Sequence, residues 1–263
     1  MAAAVDCQRP APERAELMPL TRLHVDDELA HGRRVTLGEA QAHYVGRVLR
    51  LRKGDTLILF DGSGTEFDAV VERVGKDSAE LAIGTRNETH TESVLHTQLV
   101  QGIGRGDRMD FVVQKATELG VKRITPVMTR HGVVRLDSRR ADSRRAHWQS
   151  IATSSCEQSG RVRPPLIDEP VALDAWFGAM TRRADVDLIL RPGAHLPLAA
   201  VPAPATKLCL LIGPEGGFSD AEYAAATAAG FRAVSLGPRI LRTETAALTA
   251  LAVAQSLWGD LGG

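Results

Sequence analysis

Two glycine-rich turns constrain this chain more than anything else in it. They are Ile212-Gly213-Pro214-Glu215-Gly216-Gly217 and Leu236-Gly237-Pro238-Arg239-Ile240-Leu241-Arg242-Thr243-Glu244-Thr245-Ala246, roughly two dozen residues apart. Each follows a short apolar run and precedes a helix-forming stretch. Residues 208–212 read as a buried strand. Residues 219–229 read as a helix that opens on the S-x-x-E capping box of Ser219 and Glu222 and stops at Gly230. Residues 231–236 read as a second strand, and 243–258 as an Ala/Leu-rich helix with Leu248, Leu251, Ala252 and Trp258 along one face.

The first turn has the outline of a nucleotide loop, but its chemistry points elsewhere. A phosphate cradle presents backbone N–H groups with a Lys nearby and no fixed anion, whereas this turn centres on Glu215 and lacks G-K-[ST]. Nor does Gly-Pro-Glu-Gly-Gly align with the dinucleotide fingerprint G-x-G-x-x-G. Two readings are left. One is an ordinary strand-to-helix turn that uses Gly for positive φ. The other is a backbone turn for a ligand with adenine- or amide-like edges and no phosphate, of which S-adenosyl-L-methionine, with its cationic sulfonium, is one. The second turn, a polar loop carrying Arg239, Arg242 and Glu244, favours the ligand.

With 263 residues, 44% of them hydrophobic, the chain can bury one large or two smaller cores. No apolar run nears the roughly 20 residues that span a bilayer, and residues 1–20 lack the apolar core of a signal peptide. The expectation is a cytoplasmic protein with no membrane attachment. Cys7, Cys156 and Cys209 show no C-x-x-C pair and no companion His spacing, so no metal is expected and Cys156 reads as a packing residue. Residues 1–17, rich in Ala, Pro and Glu without periodicity, read as a disordered leader, with Met18 as an alternative start.

Residues 33–37, 55–60, 65–74 and 78–83 read as strands between Gly and Asp turns, interrupted by a helix over 39–49. Such short strands predict a small β-barrel over 18–85, and the polar stretch 85–92 reads as a linker. From 93 to 263, strand-like segments (97–103, 121–128, 186–190, 208–212, 231–236) interleave with helix-like ones (107–119, 219–229, 243–258). That alternation predicts an α/β domain with a mainly parallel sheet and helices on both sides.

Net formal charge is zero, which weighs against a nucleic-acid partner until its distribution is considered. Residues 135–163 hold seven Arg against three acids, and residues 22–54 hold six Arg and Lys53 against four; residues 201–263 carry one net negative charge. Two basic regions flank a near-neutral unit. Arg33, Arg34, Arg50 and Arg52 in one, and Arg139, Arg144 and Arg145 in the other, are the candidate RNA contacts. For the run 139–145 a solvated helix face is the competing reading. Aromatic residues make up 4% of the chain, so extensive base stacking is not expected. His43, His131 and His147 lie in no chemical motif and read as surface or packing residues.

The paired segments 211–218 and 236–246 resemble the signature of SPOUT methyltransferases, and more narrowly that of the RsmE family of small-subunit ribosomal RNA uridine N3-methyltransferases. Two further segments are similar to that family: Gly106-Asp107-Arg108-Met109-Asp110 through Lys115-Ala116-Thr117-Glu118-Leu119-Gly120, and Cys156-Glu157-Gln158-Ser159-Gly160-Arg161. The likeness runs from about Leu20 to the C-terminus. It implies a trefoil-knotted SPOUT domain, one of the rare exceptions to unknotted chains, behind a PUA-like RNA-binding barrel. It implies S-adenosyl-L-methionine as cofactor, and as substrate 16S rRNA read in the assembled small ribosomal subunit near the decoding centre. It further implies a homodimer in which the partner completes the active site. Around the cofactor it implies Leu190, Ile212, Gly213, Pro214, Glu215, Gly216, Gly217, Leu236, Gly237, Ile240, Leu241 and Thr245, mostly through backbone contacts.

Methylation at uridine N3 makes one chemical demand. The N3 proton must be removed and the resulting charge on the uracil oxygens stabilised, with the base unpaired or flipped out. Arg161 and Arg242 are the candidates to bridge those oxygens with a planar fork of donors. Glu244, Glu157 or water is the candidate proton acceptor. Two alternatives stay open: a SPOUT enzyme with another target, such as a ribose 2′-hydroxyl, and a ribosome-assembly RNA-binding protein that has lost its chemistry.

Overall fold

The computed structural model describes residues 21–180 and 184–262; the expected leader, residues 1–17, and Met18 lie outside them. The N-terminal part is a five-stranded sheet made from β1 (Arg22–His24), β2 (Arg34–Leu37), β3 (Thr56–Phe60), β4 (Thr65–Val74) and β5 (Ala79–Glu88), in the order β1-β3-β4-β5-β2. Alternation sets its inner face: Phe67, Ala69 and Val71 of β4 are buried while Asp68, Val70 and Glu72 point outward. Those residues pack on Leu23, Val35, Leu57, Leu59 and Leu81. Helix α1 (Glu39–His43) continues into a π-helical turn, Tyr44–Val48, and buries Ala42 and Val45 in the same core.

β5 runs five residues beyond the end predicted for its strand, through Glu88, because Arg86, Asn87 and Glu88 pair with Phe67, Glu66 and Thr65 of β4. The first half of the expected linker is therefore strand. Asn87 Nδ2 also donates to Asp68 Oδ1 at 3.0 Å.

The C-terminal part is a seven-stranded, wholly parallel sheet. Its strands are β6 (His96–Gly102), β7 (Arg123–Met128), β8 (Leu166–Ile167), β9 (Val171–Ala172), β10 (Val186–Leu190), β11 (Lys207–Ile212) and β12 (Arg232–Val234), in the order β12-β10-β11-β6-β7-β8, with β9 also on β7. A parallel sheet covered on both faces wants continuous apolar strands, and β11 meets this by sending alternate residues to two cores. Leu208, Leu210 and Ile212 join the core under α2 (Arg108–Glu118), α3 (Ser138–Ser159) and α6 (Thr243–Trp258). Cys209 and Leu211 join the one under α4 (Leu173–Ala179) and α5 (Asp220–Ala228).

Local signals place several helix ends. Ser219 and Glu222 form the complete capping box of α5, and Gly230 follows that helix at φ +93°. Asp137 caps α3 by accepting from the Arg140 N–H at 2.9 Å, and Gly160 ends it at φ +80°. The buried face of α6 differs from the expected one: Ala247, Ala250, Leu251 and Ala254 face inward, while Leu248, Ala252 and Trp258 are half-buried. Small side chains let this helix lie close to α2 and β11. Among the described residues no helix is long and apolar enough to cross a membrane.

The two parts are joined by polar bonds around a small apolar plug of Phe60, Cys156 and Val162. Arg22 pairs with Glu66, donates from Nη2 to the Gly160 carbonyl at 3.2 Å, and lies over the Phe60 ring. The His24 N–H donates to Glu157 Oε1 at 3.0 Å.

Candidate active site

Strands β10, β11 and β12 lie side by side, and all three run out at their carboxyl ends into one cavity of about 430 Å³. This is where open parallel sheets hold ligands. Of the residues expected around a cofactor, Leu190, Ile212, Gly213, Pro214, Glu215, Gly217, Leu236, Gly237, Ile240 and Leu241 all line it. Arg242 lines it too. Most of the wall is apolar side chain and main chain. Gly217 and Gly237 have φ of +65° and +88° and nothing within 4 Å of where a Cβ would stand; at these two positions a turn needs glycine and leaves its backbone open.

Two expected residues are elsewhere. Gly216 does not line the cavity; a Cβ there would stand 2.9 Å from His131 Cβ and 3.0 Å from the His131 carbonyl oxygen. Its close approach is to the loop after β7, and His131 Nδ1 lies 3.2 Å from the Gly216 carbonyl. Thr245 is exposed and outside the lining because the first turn of α6 carries it away.

Arg161 is also not at the cavity. It is 2% exposed, pairs with Glu92 at 2.8 Å, and donates to the Thr117 and Val121 carbonyls at 2.8 and 2.9 Å. Its donors are spent on holding the segment after β5 against α2, so it has no fork left for a base. Glu157 is likewise spent, at the junction with β1, where burial pushes its carboxyl up against the lowering effect of the His24 N–H. Cys156 is no nucleophile: burial pushes its thiol up to about 12. His147 pairs with Asp110 at 2.7 Å, and His43 is exposed. Among the described residues, no group of three or more His, Cys, Asp or Glu is placed to hold a metal.

The charged part of the site is a chain of three groups. Glu215 Oε1 accepts the Arg105 N–H at 2.9 Å and is paired with Arg108 Nη1. Burial works against the Glu215 charge, but the Arg105 N–H, its own N–H and the Arg108 guanidinium outweigh it and hold the carboxyl below the usual range. On its other edge, Arg108 Nε stands 4.0 Å from Glu244 Oε2, an atom that is buried and has no hydrogen-bond partner. Arg108 lines the cavity; Glu244 does not. Arg239 and Arg242 are exposed at the rim and have no acidic partner among the described residues.

Glycine lets these parts approach. A Cβ on Gly102 would fall 2.5 Å from Pro214 Cδ, and one on Gly104 would fall 3.2 Å from Glu215 Oε1. The turns are also tied to each other, since Thr243 Oγ1 donates to the Gly213 carbonyl at 2.6 Å and accepts from Gln101 Nε2 at 2.9 Å. At the opposite wall the Arg191 guanidinium lies 4.6 Å from the centre of the Tyr223 ring. Burial pushes that phenol up, with Arg191 pulling it partly back. Sequence reading did not single out Arg108, Arg191, Tyr223 or Thr243 as site residues. The segment holding Arg108 was visible as a motif, but no local spacing ties it to a carboxylate 107 positions away.

Residues 91–255 match the RNA methyltransferase domain family, and residues 37–84 match the RNA methyltransferase PUA domain. Ribosomal RNA small subunit methyltransferase E of Buchnera aphidicola (subsp. Schizaphis graminum) is 32% identical over 242 residues, which is 92% of this chain and 98% of the relative. The chain belongs to the ribosomal RNA small subunit methyltransferase E family. The member from Synechocystis is 34% identical over 85% of this chain and 73% of its own length. Two solved structures extend the likeness to three dimensions. A methyltransferase of Legionella pneumophila in complex with the bound cofactor SAM superposes with a TM-score of 0.88 at 39% identity, over 92% of this chain and 99% of that one. The Neisseria gonorrhoeae family member bound to S-adenosyl methionine gives 0.86 at 38%, again over 92% and 99%. For this member of the family, the PUA-type sheet and the parallel sheet described above are the RNA methyltransferase architecture, and the cavity at β10–β12 is its candidate cofactor site.

Proposed function

We propose that this chain methylates N3 of one uridine in 16S rRNA with S-adenosyl-L-methionine, acting as a cytoplasmic homodimer on the small ribosomal subunit. The observation that carries the reading is the meeting of both glycine turns in a single cavity. Its volume of about 430 Å³ falls within the range of small-molecule sites. The residues fit the cofactor: open backbone at Gly217 and Gly237 suits adenine and ribose edges, apolar walls suit the thioether chain, and an ionised Glu215 suits a cation. When bound, the cofactor supplies an electrophilic methyl group. The trefoil threading of the C-terminal segment is part of the same reading.

The protein's own residues do the rest. Arg242, at the rim and unpaired among the described residues, is assigned to the uracil oxygens. Glu244 is assigned to the N3 proton: it stands just outside the cavity lining, with Oε2 buried, without a hydrogen-bond partner and 4.0 Å from Arg108 Nε, and its carboxylate has to turn toward the base to act. Arg33, Arg50, Arg52, Arg139 and Arg144, all exposed, are assigned to the RNA backbone. Arg34 and Arg145 join them with part of their capacity spent, on Glu72 at 2.7 Å and on the Ile167 carbonyl at 3.1 Å.

Nucleoside mass spectrometry of 16S rRNA from a strain lacking the gene tests this. The expected result is loss of 3-methyluridine and its return on complementation; persistence of 3-methyluridine in the deletion strain would refute the proposal. Calorimetry should show S-adenosyl-L-methionine binding to the purified chain.

A further inference from the structure

The edge of uracil that carries N3 is an acceptor, a donor and an acceptor in a row: one carbonyl oxygen, the N3 proton, the other carbonyl oxygen. A protein surface that reads it must present a donor, an acceptor and a donor. Arg108 and Glu244 stand 4.0 Å apart, and Arg242 sits two residues before Glu244 at the start of α6. Both arginines line the cavity. Glu244 stands outside this lining with Oε2 buried; we propose that its carboxylate turns into the cavity to form this complement with Arg108 and Arg242, and that Arg108 is the residue that makes the site specific for a uracil-type imide edge.

Several observations single out Arg108. It is held rather than mobile: Nη1 is bound to Glu215, whose Oε1 is itself fixed by the Arg105 N–H. Nη2 makes no hydrogen bond among the described residues, which leaves a donor for a ligand. The approach is built in, because a side chain on Gly104 would press on Glu215 Oε1, at 3.2 Å, while touching Arg108 Cβ at 3.5 Å. A donor fixed before the reaction costs no reorganisation when charge develops, which is the condition for strong stabilisation. Arg242, at the rim and without a partner, has to be ordered by the substrate. The two arginines therefore play different parts, Arg108 setting the position of the base and Arg242 closing over it.

In the step itself Glu244 takes the N3 proton, and the electron pair left on N3 forms the new N–CH₃ bond. The pair of the broken S–CH₃ bond stays on sulfur, which leaves as a neutral thioether. Between proton loss and bond formation the negative charge lies on the uracil oxygens, where Arg108 and Arg242 donate. Cytosine presents an acceptor at N3 and a donor at its exocyclic amine. It would set an unprotonated nitrogen against Glu244 and an amine against an arginine, leaving buried polar groups unpaired.

This inference rests on the uridine N3 reading above, and its test separates the two. In the full chain, Arg108→Gln should still bind S-adenosyl-L-methionine by calorimetry, so that kcat is compared at saturating cofactor. It should lower kcat on small subunits by about 10²- to 10³-fold, as for loss of one charge-stabilising donor. Arg108→Lys should restore part of that rate by returning charge without the planar fork. On subunits carrying cytidine at the target position, the uridine-to-cytidine rate ratio should shrink at least tenfold in Arg108→Gln. Wild-type kcat in Arg108→Gln, an unchanged base ratio, or a fall in cofactor affinity that accounts for the whole rate loss would each overturn the assignment. Mass spectrometry of the wild-type product stands apart: a methyl group on any atom other than uracil N3 overturns the underlying reading whatever the variants do.

Discussion

At the scale of single residues, side chains of one chemical type have been sorted into different work by burial. Arg161 and Arg108 are both arginines paired with a glutamate, at 3% and 38% side-chain exposure. The first holds elements together and the second faces a cavity. Removing one partner of a buried, hydrogen-bonded pair leaves a desolvated charge, which costs about 3–5 kcal/mol. Arg161→Ala should therefore lower the melting temperature strongly, while the fraction that remains folded binds S-adenosyl-L-methionine as before. A wild-type melting curve with lost cofactor binding would contradict this division. Glycines divide in the same way, since Gly217 and Gly237 face open space whereas Gly216 is pressed against His131. Crowding at Gly216 would act on the loop after β7 first and on the cofactor only through it.

At the scale of elements, the start of α6 and the junction between β1 and α3 carry the consequences. The Thr243 hydroxyl joins the second turn to the first through the Gly213 carbonyl and to β6 through Gln101, whose Oε1 is already buried without a partner. Thr243→Val keeps the shape and removes both bonds; it should cost about 1–3 kcal/mol in chemical denaturation and weaken cofactor affinity measured by calorimetry. At the junction, burial raises the Glu157 carboxyl above its ordinary 4.5. A raised carboxylate favours the folded state below its unfolded value, and that advantage is lost as pH climbs through the folded value. Glu157→Gln still accepts the His24 N–H, so its stability should match wild type below about pH 4.5 and exceed it increasingly as pH rises. Thermal melts of both proteins across pH 4–8 check this, and a constant gap would show that Glu157 does not titrate on folding.

At the scale of the whole molecule, a chain with no net charge meets RNA through its distribution of charge. Arg139 and Arg144 are exposed on α3 with no acidic partner among the described residues, whereas Arg140 leans on Asp137 at 3.7 Å. Changing Arg139 and Arg144 together to Glu should weaken small-subunit binding and flatten its dependence on salt, because each lost phosphate contact removes released counterions. Cofactor affinity should not move. Unaltered salt dependence would return this run to a solvated helix face.

Much of this was legible in the chain because its causes are local. Gly and Asp turns bounded β4, the continuous apolar run 208–212 drew β11, the Ser219–Glu222 box drew α5, and two glycine turns placed most of the cavity wall. Where local rules compete they were less informative: β8, β9 and α4 are short, and the end of β5 is set by its partner strand. The sequence by itself determined that two strand–turn–helix units would carry open, phosphate-free turns, since backbone freedom and capping act over a few residues. Only the tertiary structure decided that Arg161 is buried, that Gly216 faces His131, and that Arg108 links Glu215 to Glu244. Those facts depend on contacts between residues 69, 85, 107 and more positions apart, and it is packing of the parallel sheet that brings them within bonding distance.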